Sequence, residues 1–377
     1  MGSMAITPII VGFGIPMAVR RRAASHNSDE AMRTVYRIVP FLFPLATGFG
    51  IVATIFLIPG LSSTESWLFI FAMACSSFFV CTLCIQSVLI STRRYSDIAV
   101  LQSIQVLVLT TFALAGWAFD TLSVSLLLAG YATGTAASTL VGVLQLRIRA
   151  RGPAAPALDL IHEGSRFLVS QIAESASVTL YQILAVTAIG SAGSGYLAIA
   201  LTISGLPLAL AYAIGAVAFR EVAISPRLGR NQKVEAFARI CIVTSLTCTT
   251  ILAIVAPLLI PIVFGSEFHP AILPTLITLV GCAPLLLNYV CTQMLAALGR
   301  GRAMTTSQLV GLAFGVALIY GLGSAVGTVG AAIAVLVAWL TTTVLGFRAL
   351  GVHYRSLVIG RRDVQTTISV LLHGKLH

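Results

Sequence analysis

One acidic side chain lies deep inside an apolar stretch of the sequence. Glu174 falls within the apolar run 167–189, and no other charged residue lies as deep in any such run. An acidic group at the centre of a membrane helix costs about 2.5–3.5 kcal/mol, so it is expected to face the bundle interior or water. At about 100° per residue, Gln171, Glu174, Ser175 and Gln182 share one helix face. This stripe predicts a cavity-lining carboxylate that binds a proton or cation, or that bonds sugar hydroxyls; the alternative is a structural hydrogen bond between helices.

Amide side chains form a second group of candidates. Asn288 interrupts another apolar run, and its amide suits the hydroxyls of a sugar. Amides also hold neighbouring membrane helices together, which is the favoured interpretation for any one of them. The glutamines in the same situation are Gln86, Gln102, Gln105, Gln293 and Gln308.

Two arginines stand at matching places where apolar runs end. Arg20 and Arg220 are candidates for holding a lipid diphosphate through charge-assisted hydrogen bonds. The favoured alternative is that they anchor their helices at the cytoplasmic face, because every loop on that side is basic. No metal site is expected: Cys81 and Cys84 have C-x-x-C spacing, but they lie in the middle of a run without His or carboxylate neighbours. All the cysteines fall inside apolar runs, so no disulfide is expected. No cofactor is expected either.

The composition places most side chains in lipid. Apolar residues make up 58% of the chain and charged residues 9%, where a soluble domain carries about 25% charged residues. The net charge of +11 suggests nucleic acid as a partner. The basic residues, however, form short clusters between apolar runs and not one continuous face, which excludes nucleic acid and leaves the lipid bilayer as the partner.

Eleven apolar runs predict an all-α polytopic membrane protein. They are residues 4–19, 38–58, 67–90, 98–119, 122–146, 167–189, 196–219, 240–264, 271–297, 304–320 and 329–347. When alternate gaps are assigned to one side of the membrane, that side holds all 23 Lys and Arg residues. Basic residues in short loops stay in the cytoplasm, so the carboxyl terminus is predicted to be cytoplasmic and the amino terminus to lie outside.

The sequence repeats weakly at a shift of about 200 residues. Ala18-Val19-Arg20 matches Ala218-Phe219-Arg220, and the later basic loops stay in step. Two parallel repeats are predicted: an N-terminal lobe of five helices (1–150) and a C-terminal lobe of six (151–350), followed by a cytoplasmic tail (351–377). The partner of run 167–189 would precede residue 1, so we expect the first helix of the N-terminal lobe to be missing.

Several short motifs resemble those of bacterial polysaccharide flippases. Residues 195–200 (GYLAIA) resemble the G-x-Y-x-x-A start of the eighth helix in that family, and residues 260–268 (IPIVFGSEF) resemble its lip-x-lfG-x-x-f motif. Asn288 with residues 297–300 (ALGR) is similar to its N…alGr signature, and residues 12–20 (GFGIPMAVR) resemble the end of its second helix. Over nearly its whole length the chain resembles the Wzx-like polysaccharide transporters of the multidrug/oligosaccharidyl-lipid/polysaccharide (MOP) superfamily.

This resemblance implies a V-shaped, MATE-like bundle of two lobes around a central cavity. It also implies that the protein flips lipid-linked oligosaccharides, carried on undecaprenyl diphosphate, across the bacterial cytoplasmic membrane by alternating access. Lipopolysaccharide or exopolysaccharide export, coupling to a proton or sodium gradient, and polysaccharide assembly proteins as partners follow from the same resemblance. The sequence departs from the family where many relatives carry an Asp in the seventh helix, because Tyr181 and Gln182 stand there.

Three alternatives stay open. The chain is also compatible with a cation-coupled multidrug antiporter of the same superfamily, and with an inactive truncated scaffold. The third alternative is a membrane enzyme of polysaccharide assembly, such as a polymerase or an acyltransferase. The outer connections are short turns that leave little room for a catalytic site, so we expect no enzyme.

The predicted topology is testable with fused reporters. A periplasm-active reporter placed after Ser62, Ser194 or Ser266 should be active, whereas one placed after Arg94 or Arg230 should be inactive, because the basic loops are retained in the cytoplasm. Reporter activity normalised to fusion abundance is the measurement, and reversed activity at any two of the five positions contradicts the topology.

Overall fold

The computed structural model describes residues 2–25, 28–56, 62–121, 123–352 and Leu357, and throughout these residues the regular structure is helical. Most of the predicted cytoplasmic tail (351–377) lies outside the described residues. The chain divides into two compact units, unit 1 (Met1–Ile172) and unit 2 (Ala173–His377). Residues 151–172 thus belong to unit 1, whereas the lobes at 1–150 and 151–350 remain a prediction.

Unit 1 contains seven helices and the start of an eighth among its described residues. They are α1 (Gly2–Val11), α2 (Ile15–Ala24), α3 (Ser28–Phe56), α4 (Ser63–Ala74), α5 (Ser76–Ser91), α6 (Tyr95–Ala118), α7 (Val124–Leu146) and the first part of α8 (Ala157–Gly205).

Unit 2 begins within α8. Its further helices are α9 (Leu208–Ala223), α10 (Arg227–Phe264), a 3-10 turn (Ser266–Ala271), α11 (Ile272–Val280), α12 (Cys282–Ala297), α13 (Gly301–Leu318), a π turn (Ile319–Gly323), α14 (Ser324–Val326) and α15 (Thr328–Leu350).

The helices confirm the predicted class of an all-helical polytopic membrane protein. Within the described residues, eight helices are long and apolar enough to cross a membrane, or nine if the bent pair Ser266–Val280 and Cys282–Ala297 is one span. The difference between eleven runs and nine spans has two sources. Run 4–19 is divided between two ten-residue helices, and runs 167–189 and 196–219 share a single candidate span, Thr179–Gly205. The count of eleven remains a prediction.

Four of the predicted runs are broken helices and not single continuous ones. The break between α1 and α2 contains Phe13 and Gly14, whose φ angles of 45° and 69° lie in the left-handed region. The break between α8 and α9 falls at Pro207, which lacks the N–H that an uninterrupted helix needs. The other two breaks are single residues, Cys75 between α4 and α5 and Gly281 between α11 and α12.

Between runs 167–189 and 196–219, where a turn is predicted, only one residue of the structure departs from helical geometry. Gly190 has φ 76° and ψ 175°, whereas the helix continues on both sides of it. A side chain is strained at such a φ angle, so glycine is the residue that permits this abrupt kink.

A close backbone contact joins the start of α8 to the break between α1 and α2. A Cβ atom added to Gly14 would lie 2.2 Å from the carbonyl oxygen of Gly164, and one added to Gly164 would lie 2.6 Å from the carbonyl oxygen of Phe13. Beside this contact, Glu163 bridges Arg21 (2.9 Å) and Arg22 (3.0 Å). The first two turns of α8 are therefore fixed to unit 1 by both packing and charge.

The two units contain the same turn before their last long helical pair. Arg94 and Arg300 each follow a residue in the left-handed region, Arg93 (φ 60°) and Gly299 (φ 70°). The backbone N–H of each arginine donates to the carbonyl five residues earlier, at 2.9 Å in both cases. This hydrogen bond closes the C-terminal end of the preceding helix. The local structure thus supports the predicted repeat at this point.

The glycine contact generates a prediction about stability. Gly164→Ala should destabilise the protein by about 1–3 kcal/mol, because its Cβ meets backbone atoms that cannot rotate away. Gly48→Ala is the matched control: its Cβ would meet no atom within 4 Å, so alanine should stabilise α3 by about 0.5–1 kcal/mol. Thermal unfolding of the detergent-solubilised variants measures both effects, and equal melting temperatures would contradict the close contact.

Candidate functional site

Glu174 lies on α8 in unit 2, and its side chain is partly exposed. Its backbone carbonyl accepts a hydrogen bond from Ser177 Oγ (2.8 Å). Its carboxylate forms no hydrogen bond or ion pair with any residue that the structure describes. This isolation disfavours the structural alternative, in which the carboxylate joins two helices, and leaves its oxygens available to a ligand.

Two tyrosines form an aromatic corner in unit 2, and one of them is within electrostatic range of Glu174. The rings of Tyr212 on α9 and Tyr289 on α12 meet edge to face, with centroids 4.6 Å apart and planes at 68°. Glu174 lies close enough to Tyr212 for the two groups to interact electrostatically. Gly215 brings α9 and α12 together here, because a Cβ at that position would lie 2.8 Å from Tyr289 Cε1.

The group of Glu174, Tyr212 and Tyr289 combines a negative charge with aromatic faces. This combination is suited to a cation, since a carboxylate supplies charge and the face of an aromatic ring attracts cations. The two tyrosines were missed by the sequence analysis. The available signal was a hydroxyl-bearing ring in the middle of an apolar run, but their proximity depends on the packing of α9 against α12.

Two other acidic residues form ion pairs that are typical of structural carboxylates, and they provide a comparison for Glu174. Glu163 is bridged by two arginines, as described above, and Glu221 is bridged by Arg220 (3.3 Å) and Lys233 (2.8 Å). The Glu221 side chain is only 9% exposed. Each of these acids is neutralised by cations of its own unit, and Glu174 is not.

Asn288 is part of a buried hydrogen-bond network. Gln308 Nε2 on α13 donates to Asn288 Oδ1 (3.1 Å) and to Thr292 Oγ1 (3.2 Å), both on α12. Asn288 is 7% exposed. These bonds fit the interpretation of amides as links between helices, and a role for Asn288 in a cavity remains a prediction.

The remaining polar residues of the stripe have different surroundings. Gln171 and Gln182 are both partly exposed, and neither side chain forms a hydrogen bond within the described part of the chain. Tyr181 is buried, and its ring packs where a Cβ on Gly315 would lie, 2.5 Å from the tyrosine oxygen. Tyr181 is therefore a packing residue.

The two arginines predicted to hold a lipid diphosphate are both partly buried. The Arg20 carbonyl accepts a hydrogen bond from Ser91 Oγ (3.3 Å). Arg220 forms its ion pair with Glu221, so a phosphate would have to compete with that carboxylate for the guanidinium. The role of both arginines in phosphate binding remains a prediction. Among the described residues, no three His, Cys, Asp or Glu side chains are grouped so that they could hold a metal ion.

The fold is similar to that of solved transporters, although no protein-family model matches the sequence and no curated protein matches it. A substituted form of a MATE protein superposes with a TM-score of 0.77 at 15% identity, covering 95% of this chain and 86% of the other. A multidrug resistance MATE family transporter of the MOP superfamily, in an outward-facing conformation, gives 0.75 at 15% identity, covering 95% and 86%. A substituted form of the MATE transporter VcmN of Vibrio cholerae gives 0.75 at 15% identity, covering 94% and 88%.

The likeness extends over nearly the whole chain and over most of each solved structure. Two of these three proteins are described as transporters, and none of the three is described as a polysaccharide flippase. The chain therefore has the fold of the MATE transporters of the MOP superfamily.

Proposed function

We propose that this protein is a cation-coupled transporter that exchanges an organic cation for a proton or a sodium ion by alternating access. The observation that carries the proposal is the carboxylate of Glu174, which lies in an apolar helix, has no hydrogen-bond or ion-pair partner among the described residues and interacts electrostatically with Tyr212 of the aromatic corner. The fold, which is similar to that of a multidrug resistance transporter, supports the same class of function.

The physics of an isolated carboxylate explains how exchange would work. A bare negative charge within a membrane helix is costly, and either a proton or a bound cation removes that cost. One carboxylate cannot be neutralised by both ligands at once. Binding of the proton or sodium ion therefore weakens binding of the organic cation, and by linkage the reverse holds equally.

The aromatic corner contributes to the choice of cation. Tyr212 is 48% exposed and stands edge to face with Tyr289, so the pair offers ring surface beside the carboxylate. A cation–π contact adds about 0.5–2 kcal/mol for a large, weakly hydrated cation. A small hydrated ion gains less from the rings, so the two classes of ligand would use the site differently.

A lipid-linked oligosaccharide flippase is the second candidate. It is favoured by the motifs at 195–200, 260–268 and 297–300, which resemble those of Wzx-like transporters. In that case the sugar hydroxyls would bond Glu174, and the diphosphate would be held by Arg20 or Arg220 at the side predicted to be cytoplasmic. The bacterial inner membrane is the proposed location for both candidates.

The proposed exchange predicts the effect of Glu174→Gln. The variant keeps the size and hydrogen bonding of the side chain but removes its charge, so gradient-driven efflux of an organic cation dye should fall by about tenfold or more. The amount of protein in the membrane should stay at the level of the parent, because no described residue depends on this carboxylate. Gradient-driven dye uptake into inverted membrane vesicles, which corresponds to efflux from the cell, is the measurement, normalised to protein abundance.

Glu163→Gln is the matched control for this experiment. It removes a carboxylate that bridges two arginines, so it should lower protein abundance but leave efflux per molecule close to that of the parent. Full efflux by Glu174→Gln would contradict the exchange mechanism. No dye efflux by the parent, together with restored polysaccharide export in a flippase-deficient strain, would favour the flippase.

A further inference from the structure

A pocket of about 470 Å³ lies beside the C-terminal end of α7 in unit 1. It is on the side predicted to be cytoplasmic, and the proposed function does not use it. Its lining consists of two arginines, one amide and three aliphatic side chains: Arg94, Val141, Leu144, Gln145, Leu146 and Arg147.

Arg94 is held in place at one edge of the pocket. Its Nη1 and Nη2 donate to the carbonyl oxygen of Gln145 at 3.2 and 3.3 Å, and its Nε donates to Asp97 Oδ2. A guanidinium has five N–H donors, so two remain for a further acceptor. Asp97 balances the charge of Arg94.

Arg147 adds a charge that is not balanced. Its guanidinium forms no hydrogen bond or ion pair with a residue in the described ranges, and the side chain is exposed. Because Asp97 offsets Arg94, Arg147 leaves the pocket with one net positive charge. Binding of one singly charged anion would neutralise this charge.

The backbone of Arg147 adds a second observation. Arg147 ends α7 with φ 54°, in the left-handed region where glycine is the favoured residue. The corresponding helix in unit 2, α15, ends at Gly351 with φ 77°. There Arg300 donates to the carbonyl of Ala349 as Arg94 does to that of Gln145. The two ends thus share a geometry, but only unit 1 has an arginine and an amide where unit 2 has glycine and alanine.

Gln145 carries an unused acceptor. Its Oε1 atom is buried and has no hydrogen-bond partner in the described structure. Leaving a buried acceptor unsatisfied costs about 1–3 kcal/mol in general. Because Gln145 lines the pocket, rotation of its amide would let a ligand O–H donor satisfy this acceptor.

The outer face of α7 continues the pocket into the apolar part of the helix. Leu140 and Leu144 lie one turn apart, and they are 62% and 64% exposed. Residues at i and i+4 stand one above the other on a helix face, so the two leucines form an apolar strip that leads away from Arg147. An acyl chain fits such a strip.

We propose that this pocket binds a glycerophospholipid of the inner leaflet whose headgroup has one phosphodiester charge and a free hydroxyl, as phosphatidylglycerol has. The phosphate accepts from Arg147 and from the remaining N–H groups of Arg94. A headgroup hydroxyl donates to Gln145 Oε1, and an acyl chain lies along Leu140 and Leu144. The single negative charge of the lipid then offsets the net charge of the pocket, and its hydroxyl satisfies the unpaired acceptor of Gln145. A zwitterionic lipid has no net charge to offset Arg147.

Native mass spectrometry of the detergent-solubilised full chain tests the proposal. Titration with phosphatidylglycerol should give tighter binding than with phosphatidylcholine. Arg147→Gly should weaken phosphatidylglycerol binding by about fivefold through loss of one basic group. The variant should remain folded, with a melting temperature at or above that of the parent, because glycine relieves the left-handed backbone. Arg302→Ala, which removes an exposed arginine of α13 outside the pocket, should leave binding unchanged.

Two further measurements test the headgroup hydroxyl and the acyl chain separately from the phosphate charge. Phosphatidylmethanol has the same charge but no headgroup hydroxyl, so the parent should prefer phosphatidylglycerol and Gln145→Ala should remove that preference. Excess inorganic phosphate should not displace the bound lipid. Equal weakening by Arg302→Ala, equal binding of phosphatidylcholine, or displacement by inorganic phosphate would each overturn the proposal, and an unchanged preference in Gln145→Ala would overturn the role of the hydroxyl.

Discussion

Peptide groups within a hydrocarbon layer must find their hydrogen bonds inside the protein, because lipid supplies none. This constraint explains the form of the four breaks in the apolar runs. At the break before α2, Gly12 N–H donates to Pro8 O (2.9 Å) and Ile15 N–H donates to Gly12 O (2.8 Å). At Cys75 and Gly281 the N–H still reaches the carbonyl four residues earlier, at 3.0 and 3.4 Å. The chain therefore bends without leaving a run of unpaired backbone groups.

Charged side chains are subject to a similar constraint, because a charge that is removed from water needs a partner of opposite sign. Glu163 and Glu221 are each neutralised by two cations of their own unit. A carboxylate in such a bridge supports the structure, because removal of one partner leaves a charge with reduced compensation. Glu174 has no such partner among the described residues, and this difference, more than its acidity, makes it the candidate for ligand binding.

The two units contain the same backbone turn with different residues around it. The turns at Arg94 and Arg300 have nearly the same backbone, and both arginines close the end of a later helix. The residues around these turns differ: Gln145 and Arg147 in unit 1 stand where Ala349 and Gly351 stand in unit 2. The backbone geometry is thus the same in both units, and the residues that differ put Gln145 and Arg147 at the pocket of unit 1 where unit 2 has Ala349 and Gly351.

The class of this protein was determined by sequence alone. Hydropathy and run length express the transfer of side chains from water to lipid, which is a local property, and they were sufficient to predict an all-helical membrane protein with Glu174 as its conspicuous acid. The same local properties did not show that run 4–19 is two helices or that Gly190 alone kinks α8, because a break depends on individual φ angles and on the hydrogen bonds around it.

Hydropathy and run length also did not separate the polar residues by role. Asn288 and Glu174 both interrupt apolar runs, but Asn288 finds a partner on α13 and Glu174 finds none, while Tyr212 and Tyr289 meet only because α9 packs against α12. Such partners are set by distances between helices, which the tertiary structure decides and the polarity of a run does not encode.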